Sequence, residues 1–108
     1  MKASFMYDEE ANSLFIYREQ KQKKTSLTID LGDVIIDLDD KMSIVAIEIL
    51  NPERVLNASE EILKNLISVE LQINARMPAI WLYLTLKPKN AEERQISIPL
   101  PLEKPITV

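Results

Sequence analysis

From Ala79 to Leu86 the chain alternates with period two, yet both faces of the alternation are apolar. Ile80, Leu82, Leu84 and Leu86 fall on one side, while Trp81, Tyr83, Thr85 and Lys87 fall on the other. Such a segment reads as a strand that asks for cover twice. Ile44 to Leu50 makes the same demand, with Val45, Ile47 and Ile49 opposite Ile44 and Ala46. Two solutions are open to a chain patterned this way. Either its two halves form stacked sheets that cover each other, or the second apolar face meets another molecule.

The rest of the first half reads as short strands joined by acidic turns. Phe5 and Tyr7 alternate with Ser4 and Asp8, and Asp8 to Asn12 is a turn cluster. Leu14 to Tyr17 is apolar on both faces, and Arg18 to Thr25 is a polar stretch with the character of an exposed loop. Ser26 to Leu31 alternates weakly before Gly32, the only glycine of the chain. Val34, Ile36 and Leu38 then share a face opposite Ile35 and Asp37. Asp39-Asp40-Lys41-Met42 is expected to reverse the chain, with Asp supplying the left-handed residue that glycine would otherwise provide.

Asn51-Pro52 and Ser59-Glu60-Glu61 both carry helix-start chemistry: a capping side chain, proline at the first position, and acids in the first turn. Ile62, Leu63, Leu66 and Ile67 would share one helical face, which predicts one short helix near residues 59–67 packed on a sheet. Val69 to Ile73, Ile80 to Leu86 and Ile96 to Leu102 alternate as three further strands. Pro99, Pro101 and Pro105 lack ladder donors, which predicts a last strand at a sheet edge or outside the sheet. The expected fold is α+β and mainly antiparallel, with a hairpin-rich first half, a short helix and a three-stranded C-terminal meander. At 108 residues it is expected to form a single domain over 1–108.

Composition narrows the chemistry. There is no Cys and no His, so disulfides, thiol nucleophiles, Ser-His-Asp and HExxH sites are excluded. One glycine builds neither a Walker loop nor a dinucleotide loop. Carboxylates, Lys, Tyr and Ser remain, and they catalyse only inside a water-shielded cleft that tunes them. A carboxylate-dependent hydrolase is therefore the weakest of the readings, and no cofactor is expected. Residues 1–57 hold seven basic and eleven acidic side chains, whereas residues 58–108 hold six of each. That balance argues against nucleic acid, and the basic stretch from Arg18 to Lys24 lacks interleaved aromatics. No apolar run approaches a membrane span, and the first residues lack an apolar leader, so a cytoplasmic protein is expected.

Asp37, Asp39 and Glu48 take the first, third and twelfth places of a calcium-loop pattern, with Ser43 at the seventh. Lys41 and Met42 occupy the places where a ligand and a turn glycine belong, and both flanks are strands instead of helices. The acids therefore read as the solvated margin of a hairpin, with metal or small-ligand binding by this acidic half as the alternative.

Met6-Tyr7-Asp8-Glu9-Glu10-Ala11-Asn12-Ser13-Leu14-Phe15-Ile16 resembles the opening Tyr-Asp…Leu-Tyr-Ile pattern of domain-of-unknown-function family 2283. Val34 to Asp39 and Val45 to Leu50 resemble that family's second signature, an aspartate-bearing strand, a turn and a Gly-Ile-Glu-Ile-Leu strand. The likeness covers about residues 4–56. Asn12 replaces an acid, Met42 or Ser43 a turn glycine, and Ala46 a strand glycine. The resemblance implies a small prokaryotic protein and brings no activity with it. The resulting expectation is a non-catalytic interaction module, a dimer or other homo-oligomer or the partner subunit of another protein, using the Trp81 and Tyr83 face.

Overall fold

A computed structural model describes residues 2–18, 24–76 and 79–101. Its strands are β1 (Lys2–Asp8), β2 (Ser13–Tyr17), β3 (Leu27–Asp30), β4 (Val34–Leu38), β5 (Ile44–Leu50), β6 (Leu66–Arg76), β7 (Ala79–Pro88) and β8 (Arg94–Pro101). Two helices, α1 (Pro52–Leu56) and α2 (Glu60–Lys64), separate β5 from β6. The strands form one antiparallel sheet in the order β3-β4-β5-β2-β1-β6-β7-β8. The hairpin-rich first half and the C-terminal meander are both present. The proline-bearing β8 is an edge strand, as its missing donors require.

Leu14, Ile16, Val34, Ile36, Ile47 and Ile49 from the first half join Val69, Leu71, Leu82, Leu84 and Leu86 from the second in one buried cluster. The two halves do cover each other, but as one curved sheet with a shared inner face instead of two separate sheets. Leu56, Ala58 and Leu63 complete the core from the helical segment. Helices this short have little stability of their own, so burial of these side chains holds them in place.

The register at β1–β6 explains the curvature. These strands pair only at Lys2–Glu70 and Ala3–Val69, whereas β6 pairs with β7 from Leu66 to Arg76. A junction that narrow acts as a crease. At the Tyr7 end of β1 the crease is plugged by α2, where the Lys64 ammonium lies 2.8 Å from Glu9 Oε1. At the other end the pairing stops at Lys2–Glu70, and β6 runs on to Arg76.

Four local expectations need correction. The helix expected near 59–67 is α2, which ends early at Lys64, and the Asn51-Pro52 start opens a separate short helix, α1. Leu66 and Ile67 therefore belong to β6, where the register with β7 shifts between Leu66 and Ser68 and leaves Ile67 63% exposed. Asn51 precedes α1 but does not cap it. It adopts a left-handed conformation (φ 50°) and gives its side chain to Asn12 and Asp33 instead. Ser59 caps as expected, its Oγ accepting from the Ile62 amide at 3.3 Å.

In the β4–β5 turn the left-handed residue is Met42 (φ 64°), not an aspartate. Asp39 spends its carboxylate within the turn, Oδ1 accepting from the amides of Lys41 (2.9 Å) and Ser43 (2.8 Å). The strict alternation read for β5 fails at Val45: Asp37 faces Ala46 while Leu38 faces Ile44. That bulge keeps both Ile44 and Ile47 on the core side. Residues 19–23, with Lys21 and Lys23, the Met77-Pro78 turn, and the tail with Leu102 and Pro105 lie outside the described residues.

Candidate functional site

The outer face of the meander is built by register. Trp81 stands between Asn74 on β6 and Pro99 on β8, and Tyr83 stands between Gln72 and Ser97. The two rings lie on the same side of β7 with centroids 6.3 Å apart and planes 13° apart, a stacked arrangement. Trp81 is half-buried against its own sheet, and Tyr83 is 38% exposed. Their neighbours on this face are polar or proline, so the pair is a small aromatic island in a wettable surround. Among the described elements, β7 has its extensive contacts with its sheet neighbours β6 and β8.

A second aromatic pair occupies the outer face of the first half. Phe15 and Tyr17 have centroids 5.4 Å apart, and both are half-buried. Tyr17 pairs across to Ala46, which is 4% exposed although it points outward. Met6, opposite Phe15, is 57% exposed.

Of the three acids singled out from sequence, Asp37 and Glu48 share the outer face and Asp39 sits in the adjoining turn. Asp37 Oδ1 accepts from the Thr28 hydroxyl at 2.7 Å, and Glu48 Oε2 accepts from the Ser13 hydroxyl at 3.2 Å. Each acid is drawn to a different strand or turn partner, and Asp39 is buried. Among the described residues no group of three or more carboxylates is placed to hold a metal ion. The pattern that resembles a calcium loop is a hairpin, its twelve positions split across two strands and a turn.

Charge is concentrated more tightly where α2 meets β1. Lys64 bridges Glu9 at 2.8 Å and Glu60 at 3.2 Å. Hydrogen bonding with Glu60, and then with Lys64, holds the Glu9 carboxyl below its ordinary range. The same bonds, first from Glu9 and then from Glu60, push the Lys64 ammonium upward. Burial, followed by the charges of Glu60, Glu53 and Glu9, raises the Tyr7 phenol. All of this is solvent-facing and joins α2 to the sheet. A matching contact at α1 joins Arg54 to Asp33.

Sequence reading missed Arg18, which it placed in a loop. Its backbone amide donates to the Val45 carbonyl at 3.1 Å, which extends the β2–β5 ladder by one residue. Among the described residues its guanidinium Nε is buried without a hydrogen-bond partner. The available signal was position: an arginine directly following an apolar strand is placed to extend that strand's ladder.

The chain is 41% identical over 71 residues to an uncharacterised protein of Methanocaldococcus jannaschii, a match covering 65% of this chain and 60% of that protein. It is 37% identical over 67 residues to a Methanosarcina mazei protein whose name proposes a hypoxanthine phosphoribosyltransferase, covering 62% of this chain and 53% of the relative. The chain thus spans little more than half the length of the curated relatives it matches. No solved structure matches it. No helix among the described residues is long and apolar enough to cross a membrane. Residues 5–51, from within β1 to just past β5, match the model of DUF2283, a family described as protein of unknown function, and it is on these strands that the chain carries the family pattern.

Proposed function

We propose that this protein is a small interaction module whose contact surface is the outer face of the C-terminal meander, centred on Trp81 and Tyr83. The observation that carries the reading is the stacked pair itself, two large rings side by side with Tyr83 38% exposed. Burying aromatics of this kind supplies much of the energy at protein interfaces, and stacking holds the rings in place before a partner arrives. The contacting body is a second copy of the chain or another protein. The polar rim of Gln72, Asn74 and Ser97 suits a surface that is wet when alone. A role in phosphoribosyl transfer, which the Methanosarcina mazei relative's name offers, draws no support from a chain whose one glycine lies between β3 and β4.

The test is native mass spectrometry and light scattering of the protein across a concentration series, with Trp81→Glu alongside. Wild type is expected to associate with itself or to retain a partner when purified from its own source. The variant is expected to keep its fold and lose that association. A folded variant whose mass profile matches wild type would show that the aromatic pair has no part in binding.

A further inference from the structure

Register lines up a second outer surface, on the first half of the sheet. Met6 faces Phe15, Phe15 faces Glu48, Glu48 faces Ile35 and Ile35 faces Asp30, so one row crosses β1, β2, β5, β4 and β3. These positions alternate with the core residues Leu14, Ile16, Ile36 and Ile49, which places the row on the side away from the core. Four strand spacings make it about 19 Å long. Met6 and Asp30 are exposed, and Phe15, Glu48 and Ile35 are half-buried. Asp8, two residues beyond Met6, and Asp37, two beyond Ile35, flank the row on the same face.

The charge of this face is one-sided. Asp8, Asp30, Asp37 and Glu48 together carry as much charge as the −4 of the whole chain. Each is held by a neutral donor: the Ala11 amide, the Gly32 amide, the Thr28 hydroxyl and the Ser13 hydroxyl, in that order. Among the described residues none of the four is joined to a cation, whereas Lys64 and Arg54 offset the acids at the helix joints. Neutral donors fix the carboxylates without cancelling their field. Like charges left together cost stability, and such local costs collect at functional surfaces. The four acids stand on four different strands, too widely spread to gather round one ion, so the complement is an extended cationic body. Met6, Phe15 and Ile35 lie between the acids and call for aliphatic groups between the cations. Because β2, β5 and β4 are each paired on both sides, a partner meets side chains here and not a free strand edge.

We propose that this face docks a cationic amphipathic helix of a partner protein, its Lys or Arg side chains meeting Glu48, Asp30 and Asp37 and its aliphatic side chains resting on Met6, Phe15 and Ile35. The row is as long as about thirteen helical residues, and a helix offers apolar and charged side chains at the alternation the row requires. The surface is distinct from the Trp81 and Tyr83 face, and the inference does not rest on that reading.

The test is calorimetric titration of the full chain with an amphipathic Leu-Lys helix of about fourteen residues, blocked at both ends, and amide NMR to locate the response. A Leu-Gln helix and an all-Lys peptide of the same length are the comparison probes. The Leu-Lys helix is expected to bind at one site, to weaken as salt is added, and to shift the amides of Met6, Phe15, Ile35 and Glu48. Glu48→Gln, Asp37→Asn and Asp30→Asn keep their neutral hydrogen bonds, and each is expected to weaken binding about two- to fivefold. Glu61→Gln and Glu92→Gln, exposed acids elsewhere, should leave it unchanged. Equal losses from those two would reduce the effect to general attraction between opposite charges and overturn the site. Leu-Gln binding as tightly would remove the role of the carboxylates, and all-Lys binding as tightly the role of the apolar row. No response at millimolar peptide, or shifts centred on Trp81 and Tyr83, would overturn the proposal altogether. Thermal melts of the variants separate loss of binding from loss of fold. With like-charge repulsion relieved, the three neutralised variants should melt at or above wild type.

Discussion

Met42 holds a left-handed backbone conformation at φ 64° with its side chain 52% exposed, in a turn where the resembling family usually places glycine. For a residue with a Cβ this conformation costs roughly 1–2 kcal/mol, part of which glycine gives back through its larger unfolded-state entropy. Replacement by glycine alone would mix that relief with loss of the half-buried methionine contacts. The clean quantity is the difference between Met42→Gly and Met42→Ala, since both remove the side chain and only one relieves the backbone. We expect the glycine variant to be the more stable of the two by about 1 kcal/mol. That corresponds to ~0.5–1 M in urea midpoint and about 4–8 °C in melting temperature for a domain of this size. Gly32 provides the mirror image. It sits at φ 85°, and a Cβ built there meets nothing within 4 Å, so Gly32→Ala carries the backbone cost without any steric cost. It should destabilise by about 1 kcal/mol. Urea unfolding followed by far-ultraviolet circular dichroism measures all three variants. If Met42→Gly is no more stable than Met42→Ala, or Gly32→Ala matches wild type, the assignment of strain to these two turns is wrong.

Leu82→Ala, on the inner face of β7 and fully buried, should cost about 2–5 kcal/mol, whereas Tyr83→Ala on the outer face should cost well under half as much. Equal losses in denaturant titration would mean that the two faces of β7 have been exchanged. The Glu9 carboxyl is held below the ordinary value of 4.5, so its contribution to stability is present above that pH and fades as pH falls through the lower folded value. Wild type should therefore lose stability more steeply than Glu9→Gln between about pH 5 and pH 3, and the difference should shrink in high salt. Parallel acid limbs for the two proteins would show that the Lys64 bridge is too exposed to matter.

The sequence made the strands readable because period-two alternation is strong wherever one face enters a core. Leu14/Ile16, Val34/Ile36 and Leu82/Leu84 are the positions that define it, and they are buried in the fold. Proline chemistry likewise placed β8 at an edge. What went astray depended on events of one or two residues that periodicity does not resolve. Val45 is an extra residue in a ladder, which displaced the expected faces of β5. Ile67 reads as helical because Ile62, Leu63 and Leu66 precede it at helical spacing, but the chain leaves the helix at Asn65 to start β6. Asn51 carries capping chemistry, yet two partners from other turns compete for its side chain and win.

The candidate sites divide along the same line. Trp81 and Tyr83 were legible because an aromatic pair at i and i+2 in a strand must share a face, whatever the tertiary context. A cleft lined by Arg18, Ser43 and Gln72 was not legible, because it joins residues up to 54 positions apart. Arg18, Ser43 and Gln72 carry no local signal that they will meet.

The extent of the family match bears on why the chain needs its second half. Residues 5–51 supply Leu14, Ile16, Val34, Ile36, Ile47 and Ile49, each at most 2% exposed, but the cover over them comes largely from Leu56, Leu63, Leu82, Leu84 and Leu86, all outside the matched segment. Exposing that set would forfeit roughly 1.5–3 kcal/mol for each large aliphatic side chain, a loss as large as a small domain's whole stability of about 5–15 kcal/mol. A fragment of residues 1–57 should accordingly be unfolded or self-associated, and adding residues 58–108 as a separate chain should restore strand circular dichroism. A monomeric, cooperatively folded 1–57 fragment in sedimentation and urea titration would refute this division of labour. It follows that in this chain the five strands of the matched segment supply one side of the core, and residues 52–101 supply the other.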